Sequence, residues 1–268
     1  MNVTLHAISG IPLIRPGDDL GEVICAAAVN EHYQFEDRDI AVIASKIVSK
    51  SEGQIVGTEN IRPSQQTAEI AKHIGMNPHN LEVILSETKK LLVARPDLLL
   101  TVHRIGFICT KAGVDSSNIG PGPKGKEVVL LPKDPDLSAR RIRWTIQTIT
   151  GKEVVTIVCD TFGRADRQGS VGMAIGISGI AANYTQGHMD LFSKQRSPSV
   201  SQVDEIAAAA SLVMGQTNEA RPVVVVRGVE YQPSETDTIL DVLQPYSKYL
   251  KDVLDIAAQI KKLNNKKL

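Results

Sequence analysis

Residues 154–180, VVTIVCDTFGRADRQGSVGMAIGISGI, constrain the fold of this chain more than any other stretch. Val154 to Val158 are mostly β-branched and apolar, which predicts a buried strand. We expect this strand to end at Cys159-Asp160-Thr161 and to break at Gly163 into a polar turn. The chain therefore needs a sheet that buries this strand, and the polar residues at its end become candidate site residues.

The polar residues after this strand suit a site for a metal ion and an anion. The Asp160 carboxylate and the Thr161 hydroxyl are oxygen ligands of the kind that Mg²⁺ and Mn²⁺ prefer. Arg164 and Arg167 could clamp phosphate or carboxylate oxygens through forked hydrogen bonds. An ordinary structural turn explains the same residues when they are taken alone. Backbone can approach another strand or a ligand closely at the glycines 169, 172, 176 and 179.

Composition excludes several classes of partner. The chain has 268 residues, with 30 basic and 30 acidic side chains that cancel. No net field draws it to nucleic acid or to an anionic membrane. Aromatic residues make up 4% of the chain, which argues against a surface that stacks on bases. The length is sufficient for one large domain or two small ones.

The cysteines and the N-terminus indicate the compartment. Cys25, Cys109 and Cys159 are widely separated and form no Cys-x-x-Cys pair, so we expect reduced thiols and neither a disulfide framework nor a zinc cluster. No signal peptide is recognisable. No apolar run reaches the roughly 20 residues needed to span a bilayer. These features predict a cytoplasmic protein.

Local patterns predict the remaining elements. Predicted strands cover 3–8, 39–48, 98–102, 105–109, 127–131 and 222–226. Predicted helices cover 18–29, 63–73, 78–93, 137–150 with Asp136 as its cap, and 201–214. A further helix is predicted from Tyr246 onward, packed on its own domain. The pattern G-x-G-x-x-G at 120–125 is interpreted as a connecting loop, because prolines interrupt it and a strand follows it.

Two further stretches carry candidate binding residues. On a strand over 39–48 with its polar end, Lys46 and Lys50 would share one face and could hold a polyphosphate. Solvated edge lysines are the alternative. In Lys111 to Asn118, a single helical turn would place Asp115 and Asn118 on the same side. A loop with an Asx-turn explains that stretch equally well.

Eight segments, in order, resemble the F420 γ-glutamyl ligases, which attach glutamate to the deazaflavin coenzyme F420. The segments are SGIPLI (9–14), ASKIVSKSEG (44–53), AGVDSSN (112–118), LLPKDPDLSA (130–139), CDTFGR (159–164), AIGISG (174–179), DEIAAAASLVMG (204–215) and PVVVVRG (222–228). The resemblance implies an α+β fold of two mixed α/β lobes whose strands interlock in a homodimer. It also implies a catalytic domain over 1–230 and leaves 231–268 as a C-terminal helical extension.

The resemblance further implies that GTP and two divalent cations, Mg²⁺ or Mn²⁺, take part in the ligation, with K⁺ as an additional candidate. Asp115 and Asp160 resemble the ligands of one metal, and Thr161 and Gln216 those of the other. Asp160, Lys46 and Arg164 are the candidate catalytic residues. The candidate nucleotide-binding residues are Ile11, Pro12, Leu13, Ile14, Ser45, Lys46, Lys50, Asn118, Met214, Gly215, Gln216 and Thr217.

Three departures from the family pattern bear on the acceptor. Gln216 stands where some members have Glu, Ala165-Asp166 replaces a common Pro-Trp pair, and Ser193-Lys194 replaces a usual Gly-Arg pair. The expected reaction adds L-glutamate to the F420 precursor through an acyl phosphate. One alternative is the same ligation on a folate or another carboxylate-bearing cofactor. Another is a non-catalytic relative that binds a nucleotide.

Overall fold

A computed structural model describes residues 2–120, 126–164, 167–185, 188–245 and 247–248. The helices are α1 (Leu20–Asn30), α2 (Ser45–Ser51), α3 (Gln65–Ile74), α4 (Pro78–Ser86), α5 (Pro135–Thr150) and α6 (Gln202–Met214). Single 3₁₀ turns lie at Thr58–Asn60, Lys111–Gly113 and Ile239–Asp241.

The strands alternate irregularly with these helices. They are β1 (Thr4–Ala7), β2 (Ile40–Ala44), β3 (Ile55–Gly57), β4 (Thr88–Arg95), β5 (Leu98–His103), β6 (Ile108–Thr110), β7 (Glu127–Val129), β8 (Val155–Arg164), β9 (Arg167–Ser178), β10 (Tyr184–Thr185), β11 (His188–Met189), β12 (Gln195–Arg196), β13 (Ser199–Val200) and β14 (Val223–Arg227). The predicted mixture of helices and strands is confirmed.

The largest described sheet has the order β1-β14-β2-β8-β9. Only the β2–β8 pair among these neighbours is parallel, in a register from Ile40 opposite Val155 to Ala44 opposite Cys159. Val223 to Val226 lie in β14, which has a neighbour on each side, and they are almost fully buried. The unbroken apolar runs arise because helices cover a strand that is central in the sheet.

Strand β8 is longer than its sequence predicts. It continues past Thr161 and Gly163 to Arg164, so the prediction that it ends at Cys159-Asp160-Thr161 is wrong. The reason is that β9 lies antiparallel along its other edge and pairs Thr161 with Gly172. Strand β2 does stop beside Cys159, which opens one edge of β8 at Asp160. Residues 165 and 166 of the predicted turn lie outside the described residues.

Two glycines of β9 bring helices close to the sheet. A Cβ atom at Gly172 would lie 2.7 Å from the carbonyl oxygen of Ala207 in α6 and 2.7 Å from Ser211 Cβ. A Cβ atom at Gly176 would overlap the backbone of Pro135, the first residue of α5. Both helices therefore pack directly on the backbone of β9, which fixes where the end of α6 lies.

The predicted strand over 39–48 is only half correct. Strand β2 ends at Ala44, and Ser45 to Ser51 form helix α2 in spite of the β-branched Ile47 and Val48. Tertiary context outweighs strand propensity here, because Val48 is 1% exposed where the turned chain packs on the core. Lys46 and Lys50 are one helical turn apart, so they still share one face.

Two other predicted boundaries are wrong. The helix predicted over 78–93 ends at Ser86, and the chain continues as β4, which pairs with β5. The cap of α5 is Asp134, whose carboxylate accepts a hydrogen bond from the Leu137 amide at 3.0 Å. Asp136 accepts instead from the backbone amides of Ile177 and Ile239, so it ties α5 to the sheet.

Buried side chains form two separate hydrophobic clusters. The first lies around the large sheet and helices α1, α5 and α6. The second includes Leu81, Leu99 and Val128, between α3, α4 and the strands β4-β5-β6 and β3-β7. The implied two-lobed arrangement and the boundary near residue 230 stay predictions. Residues 121–125 of the predicted connecting loop, and 246 and 249–268 of the predicted C-terminal helix, lie outside the described residues.

A helix that crosses a bilayer needs about 20 predominantly apolar residues. Among the helices in the described part of the chain, none is both long enough and apolar enough to cross a bilayer.

Candidate functional site

The parallel pairing of β2 with β8 brings the first two site residues together. The register ends with Ala44 opposite Cys159. Ser45, which follows β2, and Asp160, the next residue of β8, therefore lie at the same point of the sheet edge. Ser45 is 5% exposed there, and its Oγ donates a hydrogen bond to Asp160 Oδ1 at 2.9 Å. Asp160 is partly buried. The sheet thus holds this carboxylate in a fixed direction.

Asp115 reaches the same point from the other side. Its backbone bridges to Val129, with amide-to-carbonyl distances of 3.0 and 2.8 Å. Lys46 Nζ lies 2.6 Å from Asp115 Oδ2 and 2.9 Å from the carbonyl oxygen of Ser117. The Ser117 amide donates to Asp115 Oδ1 at 2.8 Å. Helix α2 therefore connects Asp160, through Ser45, with Asp115, through Lys46.

Lys50 extends this cluster along the same face of α2. Its Nζ lies 2.7 Å from the carbonyl oxygen of Asn118, a residue with φ 53°. The Asn118 side-chain amide donates to the carbonyl oxygen of Thr217 at 2.7 Å. The loop after Asp115 and the loop after α6 are thereby joined beside the two lysines.

The loop after α6 carries Gln216 to β8. The side-chain amide oxygen of Gln216 accepts a hydrogen bond from Thr161 Oγ1 at 3.3 Å. Gly215 turns the chain with φ 75°, and a Cβ there would overlap the Glu219 side chain. The Glu219 carboxylate accepts from the Thr217 amide at 2.7 Å and so closes the turn. Four of the predicted site segments, at 45–50, 115–118, 160–161 and 216–217, are joined by these contacts.

Sequence reasoning missed two residues of this arrangement. Ser117 orients Asp115, and Glu219 shapes the turn that presents Gln216. A carboxylate two residues before a serine is a recognisable Asx-turn pattern, so Ser117 could have been found. Glu219 had no such signal, since its role depends on the positive φ of Gly215.

The charges in the cluster are unevenly compensated. Burial, and then the negative charge of Asp115, raise the pKa of Asp160 to about 6, although hydrogen bonds from Ser45 and the Thr161 amide oppose the shift. Burial alone would also raise the pKa of Asp115, but the hydrogen bonds from Lys46 and Ser117 lower it overall. Burial and the charge of Lys46 lower the pKa of Lys50. A further positive charge near Asp160 would be favourable.

The donor atoms fit a hard divalent cation. Asp115 and Asp160 supply carboxylate oxygens, Thr161 a hydroxyl oxygen and Gln216 an amide oxygen. Within the described ranges, no group of three or more His, Cys, Asp and Glu side chains could hold a metal ion. Mg²⁺ is commonly bound by one or two carboxylates together with water and substrate phosphates, so two carboxylates are sufficient.

Two parts of the predicted site are less closely joined to the cluster. Arg164 is exposed at the end of β8, about 13 Å of strand beyond Asp160. In the described part of the chain, no hydrogen bond joins it to Asp115 or Asp160. Ile11 to Ile14 precede α1, with Leu13 86% exposed and Ile14 buried. The Gly17 amide donates to the Ser51 carbonyl oxygen at 2.8 Å, so this loop adjoins the end of α2.

The cysteines near Asp160 are unreactive by environment. Burial, and then the charge of Asp160, raise the pKa of both Cys109 and Cys159 to about 12. All three cysteines of the chain are buried free thiols. A protonated buried thiol is a poor nucleophile, so the oxygen groups and lysines remain the chemical candidates.

Comparison with known proteins gives matches to a ligase family. The family model described as F420-0:Gamma-glutamyl ligase matches residues 10–228. The coenzyme F420:L-glutamate ligase of Methanothermobacter thermautotrophicus is 39% identical over 239 residues, which is 88% of this chain and 93% of that protein. The protein of the same name from Archaeoglobus fulgidus is 41% identical over 231 residues, 85% of this chain and 89% of its own length.

A third relative of that name, from Methanocaldococcus jannaschii, is 41% identical over 210 residues, 78% of this chain and 82% of its own length. The residues matched by the family model, 10–228, include every segment that contributes to the site. The chain belongs to the F420-0:gamma-glutamyl ligase family.

Proposed function

We propose that this protein is a GTP-dependent ligase that adds L-glutamate to the coenzyme F420 precursor through γ-glutamyl amide bonds. The observation that carries the proposal is the arrangement of Lys46 and Lys50 on one face of α2, beside the acidic pair Asp115 and Asp160. Cationic and metal-binding groups at one place suit the transfer of a phosphoryl group. We infer the acceptor from the relatives, which are named coenzyme F420:L-glutamate ligase.

In the proposed reaction, the acceptor carboxylate attacks the γ-phosphorus of GTP and GDP leaves. The amine of glutamate then attacks the resulting acyl phosphate, an amide forms, and phosphate leaves with loss of a proton from nitrogen. Lys46 and Lys50 would bind phosphate oxygens, since both ammonium groups point to one side of α2. Each reactant is anionic, which is why these lysines matter for the first step.

Asp115 and Asp160 would hold one divalent cation, and Thr161 and Gln216 a second, as Mg²⁺ or Mn²⁺. When bound, such a cation neutralises charge on the phosphate oxygens during transfer. Asn118 and the turn at Met214 to Thr217 would line the nucleotide, together with Ile11 to Ile14 and Ser45. Arg164 would contact the acceptor or glutamate rather than the metal pair. K⁺ is proposed as an additional cation.

The assembly and location are also proposals. We infer a cytoplasmic homodimer in which two mixed α/β lobes contribute interlocking strands, with a catalytic domain over 1–230. The family resemblance supports this arrangement. Size-exclusion chromatography with light scattering tests the dimer directly, and a monomer at micromolar concentration would exclude it.

The central experiment supplies purified protein with the F420 precursor, glutamate, GTP and Mn²⁺. We expect phosphate release matched by a product heavier by one or more glutamate residues in mass spectrometry. A parallel reaction with ATP tests the choice of nucleotide. Absence of GTP consumption in the complete mixture would exclude the proposed reaction, and GTP binding without any turnover would favour the non-catalytic alternative.

A second acceptor class has one structural feature in its favour. Ser193 and Lys194, which depart from the family pattern, lie in an exposed turn beside Leu191 and Phe192, whose exposed fractions are 99% and 83%. An exposed turn of altered chemistry could contact a different acceptor. Incubation with a mixture of F420 precursor and folates separates the two, and glutamylation of the F420 precursor alone would end this alternative.

A further inference from the structure

The residues Lys111, Ala112 and Gly113, which lie four, three and two positions before Asp115, adopt left-handed backbone. Their φ values are 53°, 51° and 67°. Non-glycine residues rarely adopt this region because Cβ approaches the following carbonyl oxygen. Ala112 is also completely buried, so its conformation does not arise from a free surface loop. A strained turn of this kind persists only where its surroundings hold it.

A single hydroxyl holds the middle of the turn. Thr101 Oγ1 accepts a hydrogen bond from the Ala112 amide at 2.9 Å and donates one to the Cys109 carbonyl oxygen at 2.9 Å. Thr101 is 0% exposed and lies opposite Cys109 in the β5–β6 pair. The hydroxyl therefore satisfies a buried amide that strand β6 cannot reach, and it fixes the turn to the sheet.

The far end of the turn leads directly to the candidate metal ligand. The Val114 amide donates to the Lys111 carbonyl oxygen at 3.0 Å, and Asp115 then bridges to Val129. A Cβ atom at Gly113 would lie 2.7 Å from Leu131, so the turn is also packed against the chain that follows β7. Between Thr101 and Val129 the backbone has little freedom to change the direction of Asp115.

We propose that Thr101 is a positioning residue, whose buried hydroxyl holds the left-handed turn that presents Asp115 to the site. The inference rests on the proposed function, in which Asp115 binds a divalent cation. Thr101 does not itself reach the cluster. It acts through Ala112 on the place where the Asp115 carboxylate lies relative to Lys46 and Asp160.

The decisive variant is Thr101→Val, which keeps the shape of the side chain and removes both hydrogen bonds. The Ala112 amide would then be buried without an acceptor, and the turn is expected to relax toward right-handed backbone. Thr101→Ser retains the hydroxyl and is the conservative rescue. The matched control is Thr156→Val, because Thr156 is also 0% exposed and its hydroxyl bonds the Ala139 carbonyl oxygen at 2.6 Å, away from the turn.

The measurement is a titration of the nucleotide-free full chain with Mn²⁺. The electron paramagnetic resonance signal of free Mn²⁺ reports how much of the ion is bound. We expect Thr101→Val to weaken Mn²⁺ binding by about tenfold or more, as the loss of a group that orients a metal ligand commonly does. Thr101→Ser and Thr156→Val should stay within about twofold of the unchanged protein, well short of that loss. Melting curves identify a temperature at which every variant is folded.

The outcomes separate this inference from the proposed function. If Asp115→Asn loses Mn²⁺ while Thr101→Val binds as tightly as the unchanged protein, the role of Thr101 is refuted and the metal site stands. If the unchanged protein and Asp115→Asn bind Mn²⁺ equally, the proposed site itself fails. An equal loss in Thr156→Val would attribute the effect to general destabilisation and refute the role of Thr101.

A second variant covers the case in which Thr101→Val does not fold. Glycine adopts left-handed backbone without strain, so Ala112→Gly in the Thr101→Val background should restore folding and part of the Mn²⁺ affinity. A folded double variant that binds Mn²⁺ as tightly as the unchanged protein supports strain in the turn as the cause. A folded double variant with no recovery toward the affinity of the unchanged protein would count against the left-handed turn as the controlled element.

Discussion

Lys46 Nζ lies 2.6 Å from Asp115 Oδ2, so a lysine is the cation nearest to this carboxylate in the described structure. Ser45, the residue before it, bonds the other carboxylate of the pair, Asp160. A divalent cation bound by Asp115 would have to share that carboxylate with the ammonium group or displace it. Under the proposed function, Lys46 would therefore favour phosphate binding and oppose metal binding.

Lys46→Met tests this opposition. Removal of a positive charge a few ångströms from the cation should tighten Mn²⁺ binding to the nucleotide-free protein by roughly fivefold. Turnover of GTP should fall by about a hundredfold or more, since a phosphate-binding charge is lost. Lys50→Met is the matched control for the Mn²⁺ measurement, because Lys50 bonds the Asn118 carbonyl oxygen rather than a carboxylate, and it should tighten Mn²⁺ binding less than Lys46→Met does. Weaker Mn²⁺ binding in Lys46→Met would contradict the competition.

Asp160→Asn should separate stability from activity. Since the folded pKa of Asp160, about 6, lies above the usual value of 3.8, ionisation opposes folding increasingly as pH rises through that interval. At pH 7 without metal, the variant should be more stable by about 1–2 kcal/mol after allowance for partial exposure. Activity should fall by orders of magnitude, because metal neutralisation of a phosphoryl group contributes several kcal/mol.

The control for Asp160→Asn is Asp97→Asn, an exposed carboxylate in the β4–β5 hairpin that pairs with Arg95. Asp97→Asn should change neither the free energy of unfolding nor the rate of ligation measurably. Thermal melting with and without Mn²⁺, together with a turnover assay, checks both expectations. If Asp160→Asn melted lower and ligated glutamate at the normal rate, Asp160 would be a structural residue of strand β8.

Gly172→Ala should disturb the site through packing. The added methyl would lie 2.7 Å from the Ala207 carbonyl oxygen, and backbone cannot move aside as a side chain does. Helix α6 should shift away from β9, which lengthens the 3.3 Å contact between Thr161 and Gln216 at its far end. We expect a loss of about 1–3 kcal/mol in the free energy of unfolding, and weaker Mn²⁺ binding.

Gly57→Ala is the control for Gly172→Ala, because a Cβ at Gly57 would meet nothing within 4 Å. Urea unfolding measures the stability of both variants, and Mn²⁺ titration measures the site. Normal metal binding in a destabilised Gly172→Ala protein would show that the end of α6 adjusts independently of the helix.

Glu87, which lies away from the site, should make the free energy of unfolding depend on pH in acid. The buried His103, whose Nε2 lies 3.4 Å from Glu87 Oε2, and then the hydrogen bond from Arg104 lower the pKa of Glu87 from 4.5 to about 2. The stabilisation is complete above pH 4.5 and disappears as pH falls through 2. Glu87 is 14% exposed, so the effect should be of the order of 3 kcal/mol.

Glu87→Gln should therefore lower the free energy of unfolding at pH 7 and make it depend less on pH between 4.5 and 2. Glu127→Gln, which changes an exposed glutamate of β7, is the control and should retain the dependence of the unchanged protein. Urea unfolding across this pH range provides the measurement. Parallel curves for Glu87→Gln and the unchanged protein would refute the role of Glu87.

The sequence predicted that Lys46 and Lys50 share one face, although it predicted a strand where the structure has helix α2. Lys46 and Lys50 are separated by four residues, which returns a side chain to the same face both in a strand and, nearly, in a helix. The error in secondary structure therefore left the functional prediction intact. Asp160 lies at an open edge of the sheet although its own strand continues, because it is the partner strand β2 that stops at that level.

Some contacts of the site could not be predicted from the sequence, because they join residues that are far apart in the chain. Thr101 bonds an amide 11 positions along the chain, and Asn118 bonds a carbonyl oxygen 99 positions away. No local pattern encodes such contacts, since they arise only once β5 pairs with β6 and α6 packs on β9. The helix starting at Ser45 was likewise hidden, because Ile47 and Val48 favour a strand locally.

The two hydrophobic clusters described above meet the site from different sides. Asp160 and Ser45 extend from the sheet of the first cluster, whereas Asp115 is bridged to β7, whose Val128 belongs to the second. A cation or nucleotide that contacts both carboxylates would therefore bind only when both clusters are folded. By linkage, such a ligand makes their unfolding a shared event, so saturation with it should merge separate melting steps into one cooperative transition.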